Sequence, residues 1–113
     1  MSVSHVTTHI LDTAAGRPAA GVAVGLYARD GDGWARIGAG TTDADGRAKG
    51  LGPERLASGE YRLAFATGAY FAERGQETFF PEVSLAFTVD AAEEHYHVPL
   101  LLSPFAFSTY RGS

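Results

Sequence analysis

The sequence predicts an all-β fold, an antiparallel β-sandwich formed as one domain over residues 1–113. Three observations carry this. Apolar residues alternate with polar or small ones in short runs, most clearly at residues 59–67 and 83–89; side chains on a strand point alternately to its two faces. Turn-forming clusters separate these runs at short, regular intervals. One segment alone, residues 69–75, has helical spacing, and it is only about two turns long.

The first run, residues 3–12, places Val6, Thr8 and Ile10 on one face and His5, Thr7, His9 and Leu11 on the other, so its second face is unusually polar. A turn at residues 12–18 closes it. The next strand spans about residues 22–28, with Val22, Val24 and Leu26 on one side and Tyr27 on the other. Asp30-Gly31-Asp32-Gly33 is a strong hairpin signal, and a third strand returns over residues 34–42. A second turn, Asp43-Ala44-Asp45-Gly46, leads directly into Arg47-Ala48-Lys49. Residues 50–58 are expected to be loop, with a helical turn at most.

In the strand at residues 59–67, Tyr61, Leu63 and Phe65 alternate with Arg62, Ala64 and Ala66. After the short helix, Val83, Leu85, Phe87 and Val89 alternate with Ser84, Ala86 and Thr88. Residues 90–94 form an acidic turn and residues 95–102 the penultimate strand. The last strand is expected to run from Pro104 to the final residue.

A chain of 113 residues with 45% apolar and 12% aromatic side chains suffices for a two-layer core. The absence of cysteine excludes a disulfide framework, a thiolate nucleophile, a Cys-ligated zinc site and an iron–sulfur cluster. A net charge of −4 argues against nucleic acid as a partner, because phosphate binding needs a basic stripe. No segment approaches the ~20 apolar residues of a membrane span. Met1-Ser2-Val3-Ser4-His5 has no basic region leading into an apolar one, so no signal peptide is expected. A soluble, cytoplasmic protein is the expectation.

Strand alternation puts His95 and His97 on one face and Tyr96, Val98, Leu100 and Leu102 on the other, which is the core face. His97 therefore faces outward or into a groove, as does His9 on the first strand. Three readings stand open at this point: solvent-exposed histidines, a His-x-His zinc site completed by a third histidine, or general acid–base groups. Arg47 is either an exposed hairpin residue or, if it shares a groove with the histidines, a stabiliser of a developing oxyanion. The two Asp-x-Asp-Gly runs resemble calcium-loop fragments, but Thr41 or Ala28 and Gly52 or Ala39 would fill their end positions, so both are turns. The tail, Tyr110-Arg111-Gly112-Ser113, carries a phenol, a guanidinium and a hydroxyl on four residues, which suggests a tail held in place and used.

His9 in Thr8-His9-Ile10-Leu11-Asp12, Arg47 after Asp43-Ala44-Asp45-Gly46, His97 in His95-Tyr96-His97-Val98-Pro99-Leu100, and the closing Tyr110-Arg111-Gly112-Ser113 together resemble the transthyretin-like 5-hydroxyisourate hydrolases over essentially the whole chain. The resemblance implies a sandwich of eight strands in two sheets with one short helix. It implies a homotetramer, a dimer of dimers joined through edge strands, with active sites in the grooves between dimers.

The implied reaction is hydrolytic opening of 5-hydroxyisourate to 2-oxo-4-hydroxy-4-carboxy-5-ureidoimidazoline in urate degradation, without cofactor or metal. One of His9 and His97 would be the base that activates water and the other the acid or orienter, and Arg47 would stabilise the oxyanion or polarise the carbonyl. Ser108, Tyr110, Arg111, Gly112 and Ser113 would line the groove and hold the substrate. Two alternatives remain: a transthyretin-type carrier binding an aromatic ligand in the same groove, and a purely structural, monomeric sandwich module.

Overall fold

Two β-sheets face one another across a single apolar core in the computed structural model, which describes residues 3–113. The leader-peptide expectation rests partly on Met1 and Ser2, which lie outside the described residues. In chain order the elements are β1 (Val6–Asp12), β2 (Arg17–Pro18), β3 (Ala23–Asp30), β4 (Gly33–Thr41), β5 (Arg47–Ala48), β6 (Gly59–Phe65), α1 (Thr67–Glu73), β7 (Val83–Val89), β8 (Tyr96–Leu102) and β9 (Phe107–Thr109). One sheet has the order β2-β1-β8-β9, with β5 also paired to β1; the other has the order β4-β3-β6-β7. All pairings are antiparallel except β1 with β8, which run parallel.

The core follows the alternation. Ile10, Leu26, Leu51, Leu63, Phe65 and Leu100 are fully enclosed, and Phe71 from α1 joins the same core. Truncating one of these leucines to alanine would cost about 2–5 kcal/mol, the lost transfer energy plus the cavity left behind. Asp12 ties α1 to the first sheet. Its Oδ2 accepts a 2.7 Å bond from the Tyr70 hydroxyl, and its Oδ1 accepts the amides of Ala14 and Ala15 at 3.1 and 2.9 Å. The buried carboxylate is thereby satisfied on both oxygens.

Of the boundaries that differ from the alternation pattern, three have a visible cause. The first strand begins at Val6 rather than residue 3, because Ser4 and His5 pair with a loop instead: their amides donate to Lys49 O (3.0 Å) and Pro53 O (2.8 Å). The His5 ring is buried there, its Nδ1 accepting the Leu56 amide at 2.9 Å and its Nε2 donating to Glu93 O at 2.7 Å. That pair of bonds places the ring proton on Nε2. The strand expected through residue 67 stops at Phe65, and Thr67 instead opens the helix, its hydroxyl donating to Phe80 O at 2.9 Å.

The third difference is the tail. It is not a continuous strand from Pro104: Ser103 N donates to Ala106 O in a turn, β9 holds three residues, and Phe105 is exposed. Proline has no amide to give a ladder. Beyond β9 the tail returns to the sheet through one isolated bridge, between His97 and Gly112.

Candidate active site

The outer face of the first sheet gathers the polar residues that the core rejects. Val6, Thr8 and Ile10 of β1 and Val98, Leu100 and Leu102 of β8 are buried inward. Their alternates Thr7, His9 and His97 therefore share the opposite face. Register then decides neighbours. In the parallel pairing Thr7 lies beside His97 and His9 beside Pro99, and in the antiparallel pairing with β5 Arg47 lies directly opposite His9.

Arg47 reaches that position through the preceding turn. Asp43 Oδ1 accepts the amides of Asp45 (2.9 Å) and Arg47 (3.0 Å). The Arg47 amide bond leads the causes that hold the Asp43 carboxyl below its ordinary value of 3.8. Gly46 takes φ 75°, and a Cβ there would sit 2.5 Å from Ile10 O, so only glycine fits against β1.

His97 is the best-fixed side chain of the group. Thr7 Oγ1 lies 2.9 Å from His97 Nδ1 and 2.8 Å from His95 Nε2, so one hydroxyl bridges two imidazoles. The tail clamps the other side. Gly112 N donates to His97 O at 2.8 Å, and a Cβ on Gly112 would meet His97 Cδ2 at 2.8 Å. Burial lowers the pKa of His97 from its ordinary 6.5, and the neighbouring charges of Arg47, His9 and His95 lower it further. A histidine kept neutral near pH 7 can accept a proton.

A cavity of about 310 Å³ opens here, lined by Val3, Thr7, Thr8, Arg47, Lys49, His95, His97 and Ser113. The structure thus brings Arg47, His97, Gly112 and Ser113 together, with His9 adjoining through its pairing with Arg47. Ser108 lies on the same sheet face but farther along, paired with Leu101.

Tyr110 and Arg111 go elsewhere. They line a separate cavity of about 320 Å³ with Leu85, Phe87, Tyr96 and Val98. The Arg111 guanidinium stands 4.6 Å over the Tyr96 ring and 3.8 Å from Glu93. A third concavity, of about 420 Å³, lies on the other sheet among Ala23, Tyr27, Arg36, Ala64 and Glu82, and carries no histidine. No group of three or more His, Cys, Asp or Glu side chains is placed to hold a metal ion among the described residues.

Three contributors were not singled out as site residues by the sequence: Thr7, His95 as the partner of Thr7, and Lys49. Thr7 shares a face with His9, which is a usable signal. Its contact with His97 depends on a pairing between residues 90 positions apart, which no local pattern reports.

The two-sheet sandwich is a fold that known relatives share. The model of the HIUase/Transthyretin family matches residues 6–112, and the chain belongs to that family. It is 50% identical over 109 residues to the 5-hydroxyisourate hydrolase of Salmonella dublin, covering 96% of this chain and 80% of that protein.

Among solved structures, 5-hydroxyisourate hydrolase of Klebsiella pneumoniae aligns with a TM-score of 0.84 at 39% identity, covering 100% of this chain and 96% of the other. Sea bream transthyretin in complex with thyroxine aligns with a TM-score of 0.90 at 34% identity, covering 96% and 94%. The backbone is therefore shared by a hydrolase and a thyroxine-bound transthyretin alike, and side chains must separate them.

Proposed function

We propose that this chain hydrolyses 5-hydroxyisourate to 2-oxo-4-hydroxy-4-carboxy-5-ureidoimidazoline, a step of urate degradation. The observation that carries this reading is His97, its pKa lowered first by burial, beside Arg47 in an open cavity that Ser113 of the tail also lines. The 50% identity to a hydrolase over 96% of the chain supports it.

In the proposed mechanism His97 takes a proton from water as hydroxide adds to the ring carbonyl. Arg47 stabilises the oxyanion, whose charge the fixed guanidinium meets without reorganising. Collapse breaks the ring C–N bond, and the departing nitrogen takes a proton from a histidine, His9 being the second candidate. Gly112 and Ser113 hold the substrate against the sheet.

The site is read as complete in a homotetramer, a dimer of dimers acting in the cytoplasm. The candidate face is open in one subunit, and Phe79 (71%), Phe105 (64%) and Tyr110 (59%) expose large apolar surfaces that association would cover. Ser108, Tyr110 and Arg111 are assigned to substrate binding in that assembly. No described helix is long and apolar enough to cross a membrane.

The alternative is a carrier, favoured by the 0.90 TM-score to a transthyretin bound to thyroxine. Ultraviolet absorbance of freshly prepared 5-hydroxyisourate distinguishes the two. The hydrolase accelerates its decay in proportion to protein concentration, whereas a carrier leaves the spontaneous rate unchanged. Size-exclusion chromatography with light scattering tests the assembly, and a monomer would overturn the groove model.

A further inference from the structure

The hydroxyl of Thr7 has one hydrogen and two imidazole neighbours, His97 Nδ1 at 2.9 Å and His95 Nε2 at 2.8 Å. It makes no other hydrogen bond among the described residues. Thr7 is nearly enclosed at 5% exposure, whereas His95 is exposed. One hydroxyl hydrogen cannot be donated to both rings. With neutral imidazoles Thr7 either donates one bond and accepts the other, or accepts both and leaves its own enclosed hydrogen unpaired, which costs free energy.

The direction matters to the proposed chemistry. If Thr7 donated to His97 Nδ1, the neutral His97 ring would carry its hydrogen on Nε2 and would have no lone pair left to take a proton from water. If Thr7 accepts from His97 Nδ1–H, Nε2 is the free base. His95 meets solvent and can adopt whichever tautomer the bridge requires at little cost. The charged and titratable groups around His97 are Arg47 and Lys49 following the 43–46 turn, His9 on β1 and His95 before β8.

We propose that Thr7 is the positioning residue of this site: it accepts the Nδ1 hydrogen of His97, donates its own hydroxyl hydrogen to Nε2 of His95, and so presents the His97 Nε2 lone pair to water. The same bridge conducts a proton. When His97 Nε2 gains a proton from water, the Nδ1 hydrogen moves to Thr7 Oγ1 and the hydroxyl hydrogen of Thr7 moves to His95 Nε2. His97 and Thr7 are then neutral, His95 is the imidazolium, and the hydroxide has added to substrate. The reverse transfer restores the resting state as His97 protonates the departing nitrogen. The catalytic part of this inference rests on the hydrolase reading, whereas the tautomer does not.

The experiment is ¹⁵N NMR of the imidazole rings in the ligand-free protein, paired with kcat and KM, for wild type, Thr7→Val and Thr7→Ser. Wild type and Thr7→Ser are expected to hold His97 as the Nδ1–H tautomer. Thr7→Val, nearly the same shape, is expected to let His97 relax toward the Nε2–H form and to lower kcat about 10- to 100-fold with KM within about twofold; Thr7→Ser should recover most of the loss.

Should Thr7→Val fail to fold, His95→Leu at the exposed end of the bridge is expected to shift the His97 tautomer in the same direction. Wild-type His97 in the Nε2–H form, or a tautomer and kcat that do not change in Thr7→Val, would overturn the proposal. A wild type without turnover would defeat the hydrolase reading, and the tautomer measurement would still decide the role of Thr7.

Discussion

The amide of Gly112 donates to the carbonyl oxygen of His97 at 2.8 Å, so the chain's tail is fastened to the residue proposed as its base. The approach is too close for any side chain. A Cβ at position 112 would meet His97 Cδ2 at 2.8 Å, Pro99 Cγ at 3.2 Å and His97 O at 3.3 Å. Gly112→Ala must displace either the tail or the imidazole. Because misplacing a catalytic group by about 1 Å can cost roughly 10² in rate, kcat/KM should fall at least about tenfold. The bridge lies at the sheet surface, so the melting temperature should move little. A fully active Gly112→Ala would show that the tail's contact with His97 is irrelevant to turnover, as would full activity after deletion of residues 110–113.

Burial lowers the pKa of His97 below 6.5, and Arg47, His9 and His95 add to the shift. The neutral form therefore persists to lower pH than for a free imidazole, and the base is lost only as pH falls through the lowered value. The acid limb of the kcat/KM profile should lie below pH 6.5. His97→Ala should reduce kcat by about 10² or more and abolish that limb, in keeping with the usual worth of a positioned base. A limb above 6.5 in the wild type would contradict the assignment.

Much of this arrangement is legible in the chain because strand alternation is a local property. Tyr61, Leu63 and Phe65 declare a buried face without reference to any partner, and Val98, Leu100 and Leu102 fix by exclusion that His97 looks outward. The parallel pairing of β1 with β8 has no such local signature. It joins Thr7 to His97 across most of the chain, and a slip of one residue would turn each side chain to the other face. The tail fails to read as it folds for a related reason. Phe105 and Phe107 alternate like strand residues, yet the Ser103–Ala106 turn precedes β9, and the path beyond Thr109 follows from one bridge rather than a period. That path sends Tyr110 and Arg111 toward Tyr96 while Gly112 meets His97.

Tyr70 offers a test away from the site. Its pKa is raised from 10.0 to about 12 by burial first, and then by its hydrogen bond and proximity to Asp12. A raised value means that the folded protein holds this proton more tightly than the unfolded chain. The stabilisation is therefore complete below pH 10 and disappears as pH climbs from 10 to about 12. Tyr70→Phe leaves Asp12 Oδ2 without this donor and should cost about 1.5–3 kcal/mol at neutral pH. Thermal melts followed by circular dichroism should show the wild type losing its advantage over Tyr70→Phe across the alkaline range. Parallel curves at every pH would remove the titration of Tyr70 as the cause.

Arg47 has two separable effects, because it carries both a charge and a fork of donors. The charge is the second cause of the lowered His97 pKa, after burial. Arg47→Gln removes it, so His97 should titrate closer to 6.5 and the acid limb of kcat/KM should move to higher pH. Arg47→Lys keeps a positive charge next to His9 on the paired strand but gives up the planar fork. In that variant the limb should stay near its wild-type position while kcat falls by about 10²–10³, the usual worth of a single oxyanion donor. If Lys restores full turnover, Arg47 serves only as a charge that keeps His97 neutral. If Gln leaves the limb in place, the arginine does not act on His97 at all, and its effect on rate belongs to the substrate alone.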